Sequence, residues 1–111
     1  PLIFSIAVLV GDKVEFAISF AATAAVIDPT VGRYRLAYQI DNGAWTQVEG
    51  TLQTFEVSNG LERVQLTMLG LLDITTAGSL KLRIEIASDD GATEFYVMPS
   101  MSWVVKIWRA N

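Results

Sequence analysis

A chain of 111 residues, 51% hydrophobic and 18% charged, has room for one domain over residues 1–111, and folding buries about 60% of the surface of a chain this long. The absence of cysteine and histidine excludes disulfides, thiolate and imidazole metal sites, and Ser-His or Cys-His catalysis. Eight cations against twelve acids leave a net charge of −4, and the dispersed acid argues against nucleic acid or an anionic membrane surface as a partner.

Leu2 to Val10 is an apolar run but for Ser5. Gly11, Asp12, Lys13 and Glu15 end it far short of the ~20 residues of a membrane-spanning helix, so it reads as a strand, apolar on both faces. Val14, Phe16, Ile18 and Phe20 then alternate with Glu15, Ala17 and Ser19, the period of two that sends neighbouring side chains to opposite faces of a sheet. Tyr34, Leu36, Tyr38 and Ile40 repeat the pattern against Arg35, Ala37 and Gln39. Asp41-Asn42-Gly43 supplies residues that tolerate positive φ. A two-residue loop at Asn42-Gly43 sets Ile40 opposite Trp45 and Tyr38 opposite Gln47, with Trp45 on the core face.

Leu52 to Val57 reads as a short strand closed by Ser58-Asn59-Gly60, and Val64, Leu66 and Met68 begin another alternation. Leu69 to Ser79, with Asp73, Thr75, Thr76 and Gly78, reads as a crossover loop with room for one helical turn. Leu80, Leu82, Ile84 and Ile86 alternate with Lys81, Arg83 and Glu85. A turn at Asp90-Gly91 would then set Ile86 opposite Phe95 and Ile84 opposite Val97. Pro99 separates the last segment from this hairpin or kinks an edge strand. Trp103 to Trp108 fits a helical face through Met101, Val104, Val105 and Trp108, but its β-branched content favours a strand.

These segments predict an all-β fold, an antiparallel β-sandwich of about seven or eight strands. The stretch Tyr34-Arg35-Leu36-Ala37-Tyr38-Gln39-Ile40-Asp41-Asn42-Gly43-Ala44-Trp45-Thr46 resembles the central hairpin of immunoglobulin-like and fibronectin type III-like domains. Leu69-Gly70-Leu71, followed by Gly78 to Ile86 and Asp90-Gly91, resembles their later crossover and hairpin. The likeness covers about a third of the chain and implies an architecture shared by many functions. Leu80 stands where such domains carry a corner tyrosine, and no cysteine pair flanks a core tryptophan.

Carboxylates are the remaining acid/base candidates, yet Asp28, Asp41, Asp73, Asp89 and Asp90 all fall in predicted loops, where Asp is favoured for bonding the local backbone. Asp89 and Asp90 with a third loop carboxylate could hold calcium, but no spaced aspartate series is present. Gly32, Gly43, Gly50, Gly60 and Gly70 stand singly, unlike a phosphate-cradling loop. Neither catalysis nor a cofactor is therefore expected. Arg33, Arg35, Lys81 and Arg83 point outward on strands that are neighbours in an immunoglobulin-like topology. They form a basic patch able to dock an acidic surface, or a solvated face neutralised by Glu49, Glu85 and Glu94, which is the preferred reading. Trp45, Trp103, Trp108, Tyr34, Tyr38 and Tyr96 could stack on sugars, but Tyr34, Tyr38 and Trp45 lie on the predicted core face.

Apolar residues on both faces of the terminal segments exceed what one core covers. Ile3, Phe4, Ile6, Trp103, Val104, Ile107 and Trp108 are the predicted interface, to a second copy or to a larger assembly such as a capsid. Cysteine-free sandwiches of this size resemble accessory proteins of bacteriophage particles, head decoration or tail subunits. That likeness implies a structural, homo-oligomeric virion protein with a protein partner. The alternative is a carbohydrate-binding or adhesion module of a larger extracellular protein.

Overall fold

The computed structural model describes residues 2–24, 29–58, 62–89 and 95–109, with backbone only for 2, 3, 99 and 100. Its eight strands are β1 Leu2–Val8, β2 Lys13–Ala24, β3 Thr30–Ile40, β4 Thr46–Gln47, β5 Gln53–Val57, β6 Val64–Asp73, β7 Gly78–Ser88 and β8 Phe95–Trp108. Two antiparallel sheets form a sandwich. One runs β1-β7-β3-β4, with β5 also paired to β3, and the other runs β6-β2-β8. At 53 × 24 × 21 Å the sandwich is elongated along its strands.

Alternation fills the space between the sheets. Phe16, Ile18 and Phe20 of β2 meet Tyr34 and Leu36 of β3, Leu66 and Met68 of β6, and Leu82 and Ile84 of β7. Phe20 lies edge-on to Tyr34, and the Tyr34 hydroxyl donates to Gln53 Oε1 at 2.8 Å. A second cluster of Val8, Val14, Ile74 and Leu80 closes the end beside the β1–β2 turn. The inner faces of two strands each carry a glycine beneath an aromatic ring. Gly32 sits opposite Phe55 and Gly70 opposite Phe16, and a Cβ on either would collide with that ring.

One edge of β3 is shared by β5, over Thr30–Tyr34, and β4, over Ala37–Tyr38, and the chain between them leaves the ladder. Thr51, fully buried, fills the gap: its hydroxyl donates to Val48 O at 2.7 Å and accepts the Leu36 N–H at 3.1 Å. Thr51→Val keeps the shape and orphans that N–H. Loss of about 2 kcal/mol is therefore expected in denaturant unfolding, with Thr51→Ser close to the parent. A Val variant as stable as the parent would mean that Leu36 has another acceptor.

The sandwich and the strands at both termini match the sequence expectation, but several local readings do not hold. Leu69 to Ser79 is not a loop: β6 runs on to Asp73, and Ile74 to Ala77 makes the passage between sheets. The β3–β4 turn centres on Asp41 and Asn42, with Gly43 N–H donating to Ile40 O, and the ladder resumes with Tyr38 opposite Thr46. Asp41, at φ 53°, is drawn into this turn by β7, because its carboxylate accepts the Ser79 N–H and its own N–H donates to Ser79 O. A shift of one residue reverses faces, so Trp45 leaves the core face and lies over Arg83, 4.0 Å from guanidinium carbon to ring centroid.

The second predicted hairpin fails for a topological reason. β7 pairs with β1 and β3 while β8 pairs with β2, so Ile86 and Ile84 face Tyr34 and Leu36 instead of Phe95 and Val97. The turn at Asp90-Gly91 lies outside the described residues. In constant-type immunoglobulin domains the first strand joins the second and the last joins its predecessor; here β1 adjoins β7 and β8 adjoins β2. Pro99 falls in the ladder irregularity where residues 98–100 oppose Ala21, on a strand that is an edge.

Candidate functional site

Two outward faces carry the candidate residues. On the five-stranded sheet, β3 and β7 bring Arg33, Arg35, Lys81 and Arg83 to one side, since Arg35 opposes Glu85, Ala37 opposes Arg83 and Gln39 opposes Lys81. The patch is neutralised only in part, since one Glu85 serves both Arg35 and Arg83 and Lys81 has no ion pair among the described residues. Glu85 accepts from Arg35 Nε at 2.6 Å and from Arg83, while Arg33 pairs with Asp89 at 2.9 Å. Arg35 also donates to Gln47, and Trp45 covers Arg83. A concavity of about 320 Å³ beside Arg33, Arg35, Leu52 and Glu85 is thus walled by charges already satisfied. Of the acids expected to neutralise this face, Glu85 does so; Glu49 has no ion pair among the described residues, and Glu94 lies outside them.

Partial burial alone would raise the Glu85 pKa, but the hydrogen bonds and charges of Arg83 and Arg35 outweigh it and hold the carboxyl below its usual range. A depressed folded-state pKa means stability that is present above the unfolded value of about 4.3 and is lost as pH falls through the folded one. Urea midpoints of the parent are expected to fall on acidification below about pH 4.3, with a shallower fall in Glu85→Gln. Parallel profiles would remove Glu85 from the acid response.

On the three-stranded sheet the outward residues of β2, flanked by β6 and β8, form rows. Leu69, Ala17 and Val104 make one; Leu71, Glu15 and Lys106 the next; Asp73, Lys13 and Trp108 the third. Leu69 is 68% exposed, Val104 57% and Trp108 58%. Leu69, Leu71 and Val104 line an open concavity of about 650 Å³ together with Phe16, Ala17 and Gly70, and Trp108 lies outside it. Lys13 pairs with Asp73, and Trp108 Nε1 donates to Glu15 Oε2 at 3.3 Å, while the row Thr67–Ser19–Ser102 lies on the other side, so polar residues flank the apolar row on both sides.

The predicted interface residues do not share one surface. Val104 and Trp108 belong to this outer face. Phe4, Ile6 and Trp103 point inward on the two strands that end their sheets on the same side; Phe4 and Trp103 stack with centroids 5.5 Å apart and planes 14° apart, leaving Trp103 46% exposed. Ile107 packs on the smaller core cluster, and the side chain of Ile3 lies outside the described part. The strand β1 is apolar on one described face only: Phe4, Ile6 and Val8 turn inward while Ser5 and Ala7 turn out. Leu69 and Leu71 are not legible as surface residues while Leu69 to Ser79 reads as a loop. Continuing the inward set Val64, Leu66, Met68 through Gly70 to Leu72 exposes them as outward leucines.

Trp103 and Trp108 leave opposite faces of β8 and make no common platform for a sugar ring. The loop carboxylates do not converge. Asp41 binds Ser79, Asp73 binds Lys13 and Asp89 binds Arg33, while Asp28 and Asp90 lie outside the described residues. No metal-holding group of three or more acids occurs among the described residues, nor a helix long and apolar enough to cross a membrane. No family model matches the chain, and neither curated proteins nor solved structures yield a match.

Proposed function

We propose that this chain is a non-catalytic interaction module that associates with further copies of itself, and through them with a larger protein assembly. The observation that carries this reading is the exposed cluster of Leu69, Leu71 and Val104 around Ala17 on the outer face of the three-stranded sheet, with Trp108 beyond Lys106. A sheet face left to water alternates to polar residues, and a contiguous apolar patch with a polar rim is the usual signature of a protein contact. On the other sheet Arg33, Arg35 and Arg83 already hold internal carboxylate partners, which weakens the case for a contact there.

Light scattering coupled to size exclusion tests the reading. A mass that rises with concentration toward a defined oligomer is expected for the parent, and Val104→Glu, at an exposed position, should lower it to the monomer while leaving the thermal midpoint in place. A monomer throughout would overturn self-association. Quenching of tryptophan fluorescence by a sugar panel would then favour the carbohydrate-binding alternative.

A further inference from the structure

The two sides of the sandwich are built differently. One is closed by β6, β5 and β4, whose residues Gln65, Thr67, Asp73, Gln53, Glu56 and Gln47 keep those edges polar. The other is closed by β1 and β8, and across Leu2–Val8 and Phe95–Trp108 the sole ionisable group of either sign is Lys106, with Tyr96 aside. Edge strands are ordinarily blunted by charge, proline or a bulge because their free N–H and C=O groups template pairing with another chain. In β8 the proline and the ladder irregularity fall at residues 98–100, which leaves Met101–Trp108 regular and uninterrupted.

We propose that two copies pair antiparallel along Met101–Ile107, about a two-fold axis at Val104, joining two three-stranded sheets into one of six strands. This rests on the self-association reading and brings Val104 of that outer face to the contact, while Leu69 and Leu71 on β6 stay free for further copies. An isologous contact sets a strand against its own reverse, so the segment must complement itself. Centred on Val104, the inward pairs are Met101 with Ile107 and Trp103 with Val105, all apolar. The outward pairs are Val104 with Val104 and Ser102 with Lys106, so no lysine faces a lysine. The row Leu69–Ala17–Val104 then runs unbroken into its symmetry mate, and the exposed part of Trp103 gains a neighbour. Moving the centre to Val105 sets Lys106 against Val104 and breaks that row, which favours the first register. A strip of seven residues is about 24 Å long; across the two layers of the sandwich it offers on the order of 500 Å² per partner. That is less than the ~800 Å² of a standard interface, so the dimer is weak and visible only as concentration rises.

The chain has no cysteine, so single cysteines report the register cleanly. Ser102 and Lys106 are exposed and tolerate replacement. In the proposed pairing Ser102 of one copy lies about 5 Å from Lys106 of the other, within disulfide reach, whereas two copies of residue 102, or of 106, stand about 13 Å apart. Under mild oxidation a mixture of Ser102→Cys and Lys106→Cys should cross-link, and neither variant alone should. Dimers by light scattering without mixed cross-linking, or with cross-linking of one variant alone, would overturn this geometry and leave self-association standing. A monomer at every concentration would overturn both and assign the open edge to a strand of a different protein.

Discussion

Gly70→Val is expected to cost about 3 kcal/mol or more and to lower the thermal midpoint by more than about 12 °C. An ideal Cβ on Gly70 would stand 2.3 Å from Phe16 Cζ, and the whole ring edge lies within 3.1 Å. Phe16 cannot yield outward, being 2% exposed and flanked on the other strand by Val105. Valine must therefore expel the phenyl ring, which forfeits burial comparable to a Phe→Ala change in a core, ~3–5 kcal/mol. A double-mutant cycle with Phe16→Leu provides the check: the smaller side chain should recover part of the loss, since clashing neighbours are not additive. Additive losses in the cycle would mean that the ring does not occupy the glycine's space.

Asp12→Ala is expected to cost about 3 kcal/mol. Asp12 is 1% exposed, and its Oδ2 accepts both the Leu9 N–H at 2.9 Å and Arg109 Nη1 at 3.1 Å. Its backbone N–H donates to Leu9 O, and its carbonyl accepts the Ile74 N–H. One carboxylate thereby ties the β1–β2 turn to the chain just past β8, while its backbone ties that turn to the β6–β7 passage. Hydrogen bonds to a charged group contribute ~1.5–3 kcal/mol each, and alanine leaves two donors without an acceptor. Arg109 is half exposed and regains water, so most of the loss comes from the turn. Asp12→Asn retains an oxygen for Leu9 and should cost clearly less in urea unfolding. Equal losses for Ala and Asn would assign the energy to the Arg109 pair instead. Amide exchange at residues 106–109 should quicken in the alanine variant.

Much of the fold was legible without coordinates. The alternating sets beginning at Val14, Tyr34, Val64 and Leu80 all turn inward, and the cations beginning at Arg33 and Lys81 share an outward face. The candidate surface was only half legible. Val104 and Trp108 stand out in sequence as surplus apolar residues, but their partners Leu69, Ala17 and Leu71 come from strands far away in the chain.

Period-two patterning determines which residues of one strand share a face, because the alternation is a property of the extended backbone itself. Local pattern therefore suffices for the two-layer sandwich and for most strands and inward sets, but not for the second half of β6 or the face of Trp45. Tertiary structure alone decided which strand neighbours which, and at what register. Asp41 enters its turn because Ser79, 38 positions away, supplies an N–H and a carbonyl to hold it, and that single step carries Trp45 from the core face to the charged one. Likewise the terminal strands part into different sheets, β1 against β7 and β8 against β2. Such pairings are long-range bargains among several strands at once, and no local pattern of side chains encodes them.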